Sequence, residues 1–153
     1  MIRLAKEYDR LRVVQLLKDS RSGAGFDDRA GPTGFTFPFV AAYAEAMFKQ
    51  HCADPRALCL VYAPEGRAQG VLMARAFEHM FGPVWISQET LWWIDPTHRG
   101  SAAVRMLDAY EKWSRDQGCA FAGMAGMGAD PVVSKLYLRR GYGVAETNFL
   151  KAL

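Results

Sequence analysis

The sequence predicts a mixed α/β fold with a partly antiparallel central sheet flanked by helices, and three observations predict it. Residues 57–77 read as a hairpin, residues 84–127 as strand, helix and strand in succession, and residues 6–51 hold two helical stretches. A hairpin makes an antiparallel pair, whereas a strand–helix–strand unit crosses over and makes a parallel one. A chain of 153 residues is one domain's worth, so residues 1–153 are read as a single domain built on a single sheet.

Met1 to Leu4 suits a short strand. Over residues 6–19, apolar positions recur at Tyr8, Leu11, Val14 and Leu17 with charges between them, the period of a surface helix. RSGAGFDDRAGPTGFTF then breaks all periodicity with four glycines, and a structureless stretch of that length in a compact domain reads as a functional lid or loop. Helical spacing returns from Phe39 to about His51 and stops at Asp54-Pro55. Ala57–Ala63 and Gln69–Phe77 are β-prone runs joined by the turn residues Pro64-Glu65-Gly66-Arg67. Gly82-Pro83 precedes VWISQETLWWI, whose β-branched and aromatic content marks a buried central strand.

Between Gly100 and Gly118 an amphipathic helix sets Ala103, Met106, Leu107, Tyr110 and Trp113 against Arg105, Asp108, Lys112, Arg115 and Asp116. Asp108/Lys112 and Glu111/Arg115 stand acid before base at i,i+4, so that face is expected in solvent. Cys119–Met127 reads as a small-residue strand, Asp130-Pro131 as the start of a last helix, and Gly141 as its C-terminal glycine. A final strand is expected over about Val144–Lys151.

Half the residues are hydrophobic and 23% charged, the balance of a globular domain rather than a disordered one. The formal charge of +3 is spread along the chain without basic blocks, so no nucleic-acid partner is expected. The longest uncharged run, Ala30–Ala44, carries two glycines and two prolines and cannot span a membrane, and MIRLAKEYDR lacks a signal-peptide core; a cytoplasmic protein is expected. Three cysteines without a CxxC pair point to buried thiols, and three histidines without HxxxH or HExxH spacing give no metal site.

The join DPTHRGSAAVRML, residues 95–107, is the chemically suggestive segment. A proline stops the strand, and small residues open a helix whose first-turn amides and macrodipole favour an anion. Many Arg-Gly joins only make a turn, so the segment alone leaves both readings open. ETLWWIDPTHRGSAAVRML and KLYLRRGYGVAE, in that order, resemble the GNAT N-acetyltransferase superfamily: its central strand, Pro-x-x-Arg-Gly loop and helix, and its closing Leu-Tyr-x-x-x-Gly-Phe/Tyr segment. Arg-Gly followed by Ser and small residues is similar to phage- and prophage-encoded members. The loop departs from the usual Arg/Gln-x-x-Gly-x-Gly/Ala pattern by placing Ala102 and Val104 at its small-residue positions.

The resemblance implies the acyl-coenzyme A N-acyltransferase fold, with parallel strands 84–95 and 119–127 splayed apart. It implies acetyl-coenzyme A as co-substrate, its pyrophosphate held by amides of Arg99, Gly100, Ser101, Ala102, Ala103 and Val104, and its pantetheine arm paired with backbone groups around Trp93 and Ile94. It implies Tyr137 as donor to the departing sulfur. Glu89, an acid in an apolar strand, is costly to bury without a partner. By simple alternation it shares a face with Trp85, Leu91 and Trp93; it stands either as the base for the amine, as the family often has, or as the ion-pair partner of Arg75 or Arg105. His98 sits in the phosphate loop and Cys119 lacks a matched His or Asp, so neither is favoured for catalysis.

The function expected is acetyl transfer to a primary amine by direct attack in a ternary complex. A catalytically weak acyl-coenzyme A-binding regulatory module is the alternative. The acceptor is a small-molecule or peptide amine, walled by residues 21–37, where Asp27 and Asp28 are either its attractants or solvated loop charges. The aromatic set Phe26, Phe35, Phe37, Trp85, Trp92 and Trp93 points to an aromatic-lined pocket. A homodimer is a further expectation, since dimers are frequent in the family.

Overall fold

Antiparallel pairing builds most of the sheet, and one parallel pair closes its far end. The computed structural model describes residues 1–27, 34–126 and 132–153. Along the chain run β1 (Ile2–Leu4), α1 (Arg10–Gly23), α2 (Ala41–Ala53), β2 (Ala57–Tyr62), β3 (Gly70–Glu78), β4 (Trp85–Ile94), α3 (Ser101–Asp116), β5 (Phe121–Gly123) and α4 (Ser134–Arg139). The strands lie in the order β1-β2-β3-β4-β5, with β4 and β5 parallel and the other pairs antiparallel. This is the mixed α/β sheet that the hairpin and the crossover unit predict. Among the described residues no helix is long and apolar enough to cross a membrane.

Every residue of β2 is buried because helices cover both faces of the sheet. Cys59 and Val61 join Val13, Leu16, Leu17 and Phe48 of α1 and α2 in one core layer. Leu58, Leu60 and Tyr62 point the other way, to Met106 and Tyr110 of α3. The period-two alternation of the strand thus feeds two separate cores.

Of the series predicted for helix α1, Leu17 is buried and Val14 half-buried, but Val13 and Leu16 are the other buried residues; Tyr8 is 68% and Leu11 71% exposed. A helix turns every 3.6 residues, so the i, i+3, i+4 set faces the sheet while a strict period of three drifts off it. The helix also outlasts its predicted end and reaches Gly23, whose missing side chain admits the Trp93 ring: a Cβ there would stand 2.2 Å from it. In α3 the apolar face is as expected, and Glu111 meets Arg115 at 3.8 Å. Asp108 instead binds Arg140 at 2.6 Å, and Lys112 turns to Asp116 at 2.6 Å, since the Arg140 guanidinium, arriving just beyond α4, donates to the two carboxylates of Asp108 and Glu111 at once.

Both α3 and α4 end in the glycine turns foreseen for them. Gly118 (φ +80°) and Gly141 (φ +87°) take the left-handed conformation, with Cys119 N–H bonding Ser114 O and Tyr142 N–H bonding Tyr137 O. The expected helix start at Asp130-Pro131 lies outside the described residues. The final strand over Val144–Lys151 does not form: those residues carry no strand, and Val144 and Phe149 are 86% and 90% exposed. A β-prone run becomes a strand only by pairing, and this one makes no ladder bond among the described residues. Of the thiols only Cys59 is buried; Cys52 is exposed and Cys119 half-buried.

Candidate active site

The site is built where β4 and β5 part. Their pairing covers Ile86–Phe121, Ser87–Ala122 and Gln88–Gly123, after which β4 runs on to Ile94 with no partner on that edge among the described residues. Gly123 permits the close approach, because a Cβ there would stand 2.2 Å from the Gln88 side-chain oxygen. A buried polar knot holds α3 against this point: the Ser87 hydroxyl lies 2.9 Å from Tyr110 Oη and 2.7 Å from Ser114 Oγ, and Tyr110 donates to Gly123 O at 2.8 Å. Tyr110 reads in the sequence as one more apolar helix residue; only the short distance to a strand carbonyl shows its polar task. Tyr110→Phe strands that carbonyl and is expected to lower unfolding stability by about 1–2 kcal/mol, measured by denaturant titration.

Strand β4 carries an irregularity that simple alternation does not show. Met73 pairs with Leu91 but its neighbour Ala74 pairs with Glu89, so Thr90 is an extra residue, a bulge. The inserted residue reverses the facing of everything before it. Leu91 and Trp93 pack into the α1/α2 core, whereas Trp92 and Ile94 belong to the α3 side. Glu89, paired with Ala74 of that second core, therefore shares the α3 side and not the face of Leu91 and Trp93.

Glu89 and Tyr137 converge on the backbone of one residue, Ala125. Glu89 Oε2 accepts from Ala125 N–H at 3.1 Å, and Tyr137 Oη donates to Ala125 O at 2.8 Å. Burial pushes the Glu89 carboxyl up to about 7, with the Ala125 amide opposing the rise. Burial, then the nearby Glu89 charge, also raises the Tyr137 hydroxyl above the usual phenol range, so it stays protonated at neutral pH. Neither ion-pair partner considered for Glu89 reaches it: Arg75 bonds Asp54 at 3.4 Å, and the Arg105 guanidinium lies over the Tyr62 ring.

At the other end of β4 the basic join is braced from α1. Arg12 donates to Asp95, to Gln69 at 3.0 Å and to Ala68 O at 2.9 Å. Arg99 Nε bonds Ile94 O at 3.0 Å, and its guanidinium lies over the Trp93 ring at 4.8 Å. Arg99 thus ties the loop to the strand and uses one of the backbone groups assigned to a ligand. Gly100 caps α3 at φ +94° and ψ −120°, a conformation that L residues avoid. Gly100→Ala is expected to cost about 1–3 kcal/mol of stability, read from the denaturation midpoint.

Ala103 N–H is taken by Gly100 O at 3.0 Å, which removes it from the predicted donor set, while the amides of Gly100, Ser101 and Ala102 have no acceptor among the described residues. Ala102 is buried against the core and Val104 is 39% exposed, its side chain turned out of the packed face. The indole N–H groups of Trp92 and Trp93 are buried without a partner among the described residues. Trp92 stands beside Tyr137, ring centroids 6.2 Å apart, so an unsatisfied donor lies next to the converging pair. Open amides beyond the end of β4 and, within the strand, a donor without a partner among the described residues fit an elongated molecule that carries phosphate and amide oxygens.

Behind the bulge lies a cavity of about 570 Å³ between α1, α2, β4 and the segment after α1. Phe26 and Phe37 line it, their rings edge to face at 5.2 Å, but Phe35, Trp85, Trp92 and Trp93 of the predicted aromatic set do not. Trp85 instead lies under the Arg56 guanidinium at 4.2 Å. Asp27 is not among the described lining residues, and Asp28 lies outside the described part of the chain.

The model of the acetyltransferase (GNAT) family matches residues 32–142. No curated protein matches the sequence. Among solved structures, a transcriptional regulator from Bacillus halodurans C-125 is similar at 17% identity and TM-score 0.78, over 100% of this chain and 99% of that one. A predicted acetyltransferase with acetyl-coenzyme A from Clostridium acetobutylicum follows at 13% identity and TM-score 0.77, over 100% and 95%. An aminoglycoside antibiotic 6'-N-acetyltransferase from Acinetobacter haemolyticus matches at 17% identity and TM-score 0.73, over 100% and 97%. These likenesses carry the fold, and the family model, spanning the strand split, the basic join and Tyr137, carries the membership: the chain belongs to the acetyltransferase (GNAT) family.

Proposed function

We propose that the protein is an acetyl-coenzyme A-dependent N-acetyltransferase that acetylates a primary amine by direct attack in a ternary complex. The observation that carries this most directly is the convergence of Glu89 and Tyr137 on the backbone of Ala125 at the strand split. When bound, acetyl-coenzyme A supplies an acetyl group activated as a thioester. The Gly100, Ser101 and Ala102 amides, with Arg99 beside them, would hold its pyrophosphate, and backbone groups around Trp93 and Ile94 its pantetheine arm. Trp92 Nε1–H, beside Tyr137 and without a partner among the described residues, suits an acceptor oxygen in the same cleft.

Acetyl transfer to an amine requires removal of an ammonium proton and delivery of a proton to the departing sulfur. Glu89, with its carboxyl near 7, is ionised in a useful fraction at neutral pH yet basic enough to take the first proton. Tyr137, held protonated by burial and by the Glu89 charge, keeps the hydroxyl proton that the second step needs. A cytoplasmic setting, a homodimer and kinship with phage-encoded members complete the proposal; the last rests on the run Arg99-Gly100-Ser101.

Calorimetric titration with acetyl-coenzyme A tests the co-substrate site, with saturable binding expected and no heat at millimolar ligand contradicting it. Binding without thiol release in the presence of any amine would instead mark the regulatory module.

A further inference from the structure

We propose that His51, acting through Thr90, is a positioning residue that fixes the bulge of β4 and with it the face on which the Glu89 carboxylate stands. Its part in catalysis rests on the acetyltransferase reading above; its hold on Glu89 does not. Strand β4 has two local registers open to it. With Thr90 left out of the pairing, Glu89 stands opposite Ala74 and shares the α3 side. Were Thr90 to take the place opposite Ala74, Glu89 would move opposite Arg75, whose side chain reaches Gln50 of α2 and Asp54 just beyond it. The carboxylate would then lie across the sheet from Ala125 and Tyr137. Opposite charges facing across two strands attract, so the observed register needs a hold against this one.

The hold comes from both faces of the sheet. On the α3 side, the Ser87 hydroxyl is fastened to Tyr110 and Ser114. On the α2 side, the Thr90 hydroxyl meets His51 Nε2 at 3.1 Å. His51 is only 2% exposed, and its Nδ1 lies 2.8 Å from Met47 O, a carbonyl that can only accept, so Nδ1 carries the proton. Desolvation lowers the imidazole pKa against the Met47 bond and keeps the ring neutral; Arg75 and Asp54 are the charged groups that act on it. Nε2 is then an acceptor, and Thr90 donates to it. That bond ties the unpaired residue to α2, on the side where Leu91 also packs. Glu89 lies between the two anchors, and the α3 side is the face they leave it.

The test compares Thr90→Val, which keeps the shape and loses the hydroxyl, with Thr90→Ser, which keeps the hydroxyl. NMR titration of the Glu89 carboxyl carbon reads its surroundings without any turnover. Among the described residues, the titratable groups acting with that carboxyl are the hydroxyls of Tyr110 from α3 and Tyr137 from α4, both held protonated by burial, so the transition near pH 7 belongs to Glu89. In Thr90→Val it should move down by about one pH unit, because a carboxyl that leaves its buried seat is better solvated and meets Arg75. Thr90→Ser should leave it in place. His51→Leu should give the Thr90→Val result, and the double variant should add nothing further. With n-butylamine and a tripeptide as probe amines, kcat in Thr90→Val should fall about ten-fold with KM nearly unchanged, and Thr90→Ser should restore it. An unmoved Glu89 titration in Thr90→Val overturns the anchor, and an unchanged kcat beside an active wild type overturns its part in the reaction. A moved titration in a protein whose wild type releases no thiol keeps the anchor and overturns acetyl transfer.

Discussion

Glu89→Gln is expected to lower kcat/KM for the amine by about 10²–10³-fold at pH 7.5, because removal of a positioned general base costs that order of rate. Glutamine keeps the shape and can still accept the Ala125 amide bond, so acetyl-coenzyme A affinity should stay within about two-fold. The wild-type profile should lose activity as pH falls below about 7, where Glu89 becomes protonated, and the variant should show no such limb. An unaltered profile would remove Glu89 from proton transfer.

The same substitution has an opposite effect on stability, and the sign follows from linkage. Glu89 titrates near 4.5 unfolded and near 7 folded, so between those values the native state binds more protons and stability falls as pH rises. Above about pH 7 the native state bears the full cost of a desolvated carboxylate. Glu89→Gln should therefore raise stability by about 1–2 kcal/mol at pH 8 and change it little below pH 4.5. A less active, more stable variant separates a functional carboxylate from a structural ion pair, whose loss would destabilise.

Tyr137→Phe is expected to lower kcat about 10–100-fold with acetyl-coenzyme A affinity nearly unchanged, since the proposed role of the hydroxyl is to donate to the leaving group. The raised Tyr137 pKa predicts no alkaline limb from this residue within the ordinary assay range. Loss of its bond to Ala125 O should also cost about 1 kcal/mol of stability. A comparison of kcat with the unfolding midpoint distinguishes the two effects, because a structural role alone would move only the second. Retention of full kcat would exclude proton donation by Tyr137.

The sequence pattern makes some of this architecture legible and hides the rest for specific reasons. Aromatic and β-branched runs locate β3 and β4, the 3.6-residue period locates α3, and glycines mark its end and that of α4. The family resemblance rests on DPTHRG and KLYLRRGY, and the family model spans both. The bulge at Thr90 is silent, because an extra residue in an apolar strand leaves no compositional mark, and it alone decides which face Glu89 takes. His51 looks isolated in sequence and gains its meaning from Thr90, 39 residues away. Arg12 likewise reads as a surface charge until Asp95 and Gln69 meet it across the fold. The run after Gly143 has strand composition but pairs with no strand among the described residues, which a local pattern cannot reveal.

The central claim is that this chain moves an acetyl group from the thioester to an amine at the strand split. Continuous measurement of free thiol, with protein, acetyl-coenzyme A and a primary amine, tests it most directly. Thiol release that requires both co-substrates, saturates in each, and falls about 10²-fold or more in Glu89→Gln is the predicted result. Saturable acetyl-coenzyme A binding with no amine-dependent thiol release across small amines and peptide N-termini would contradict it.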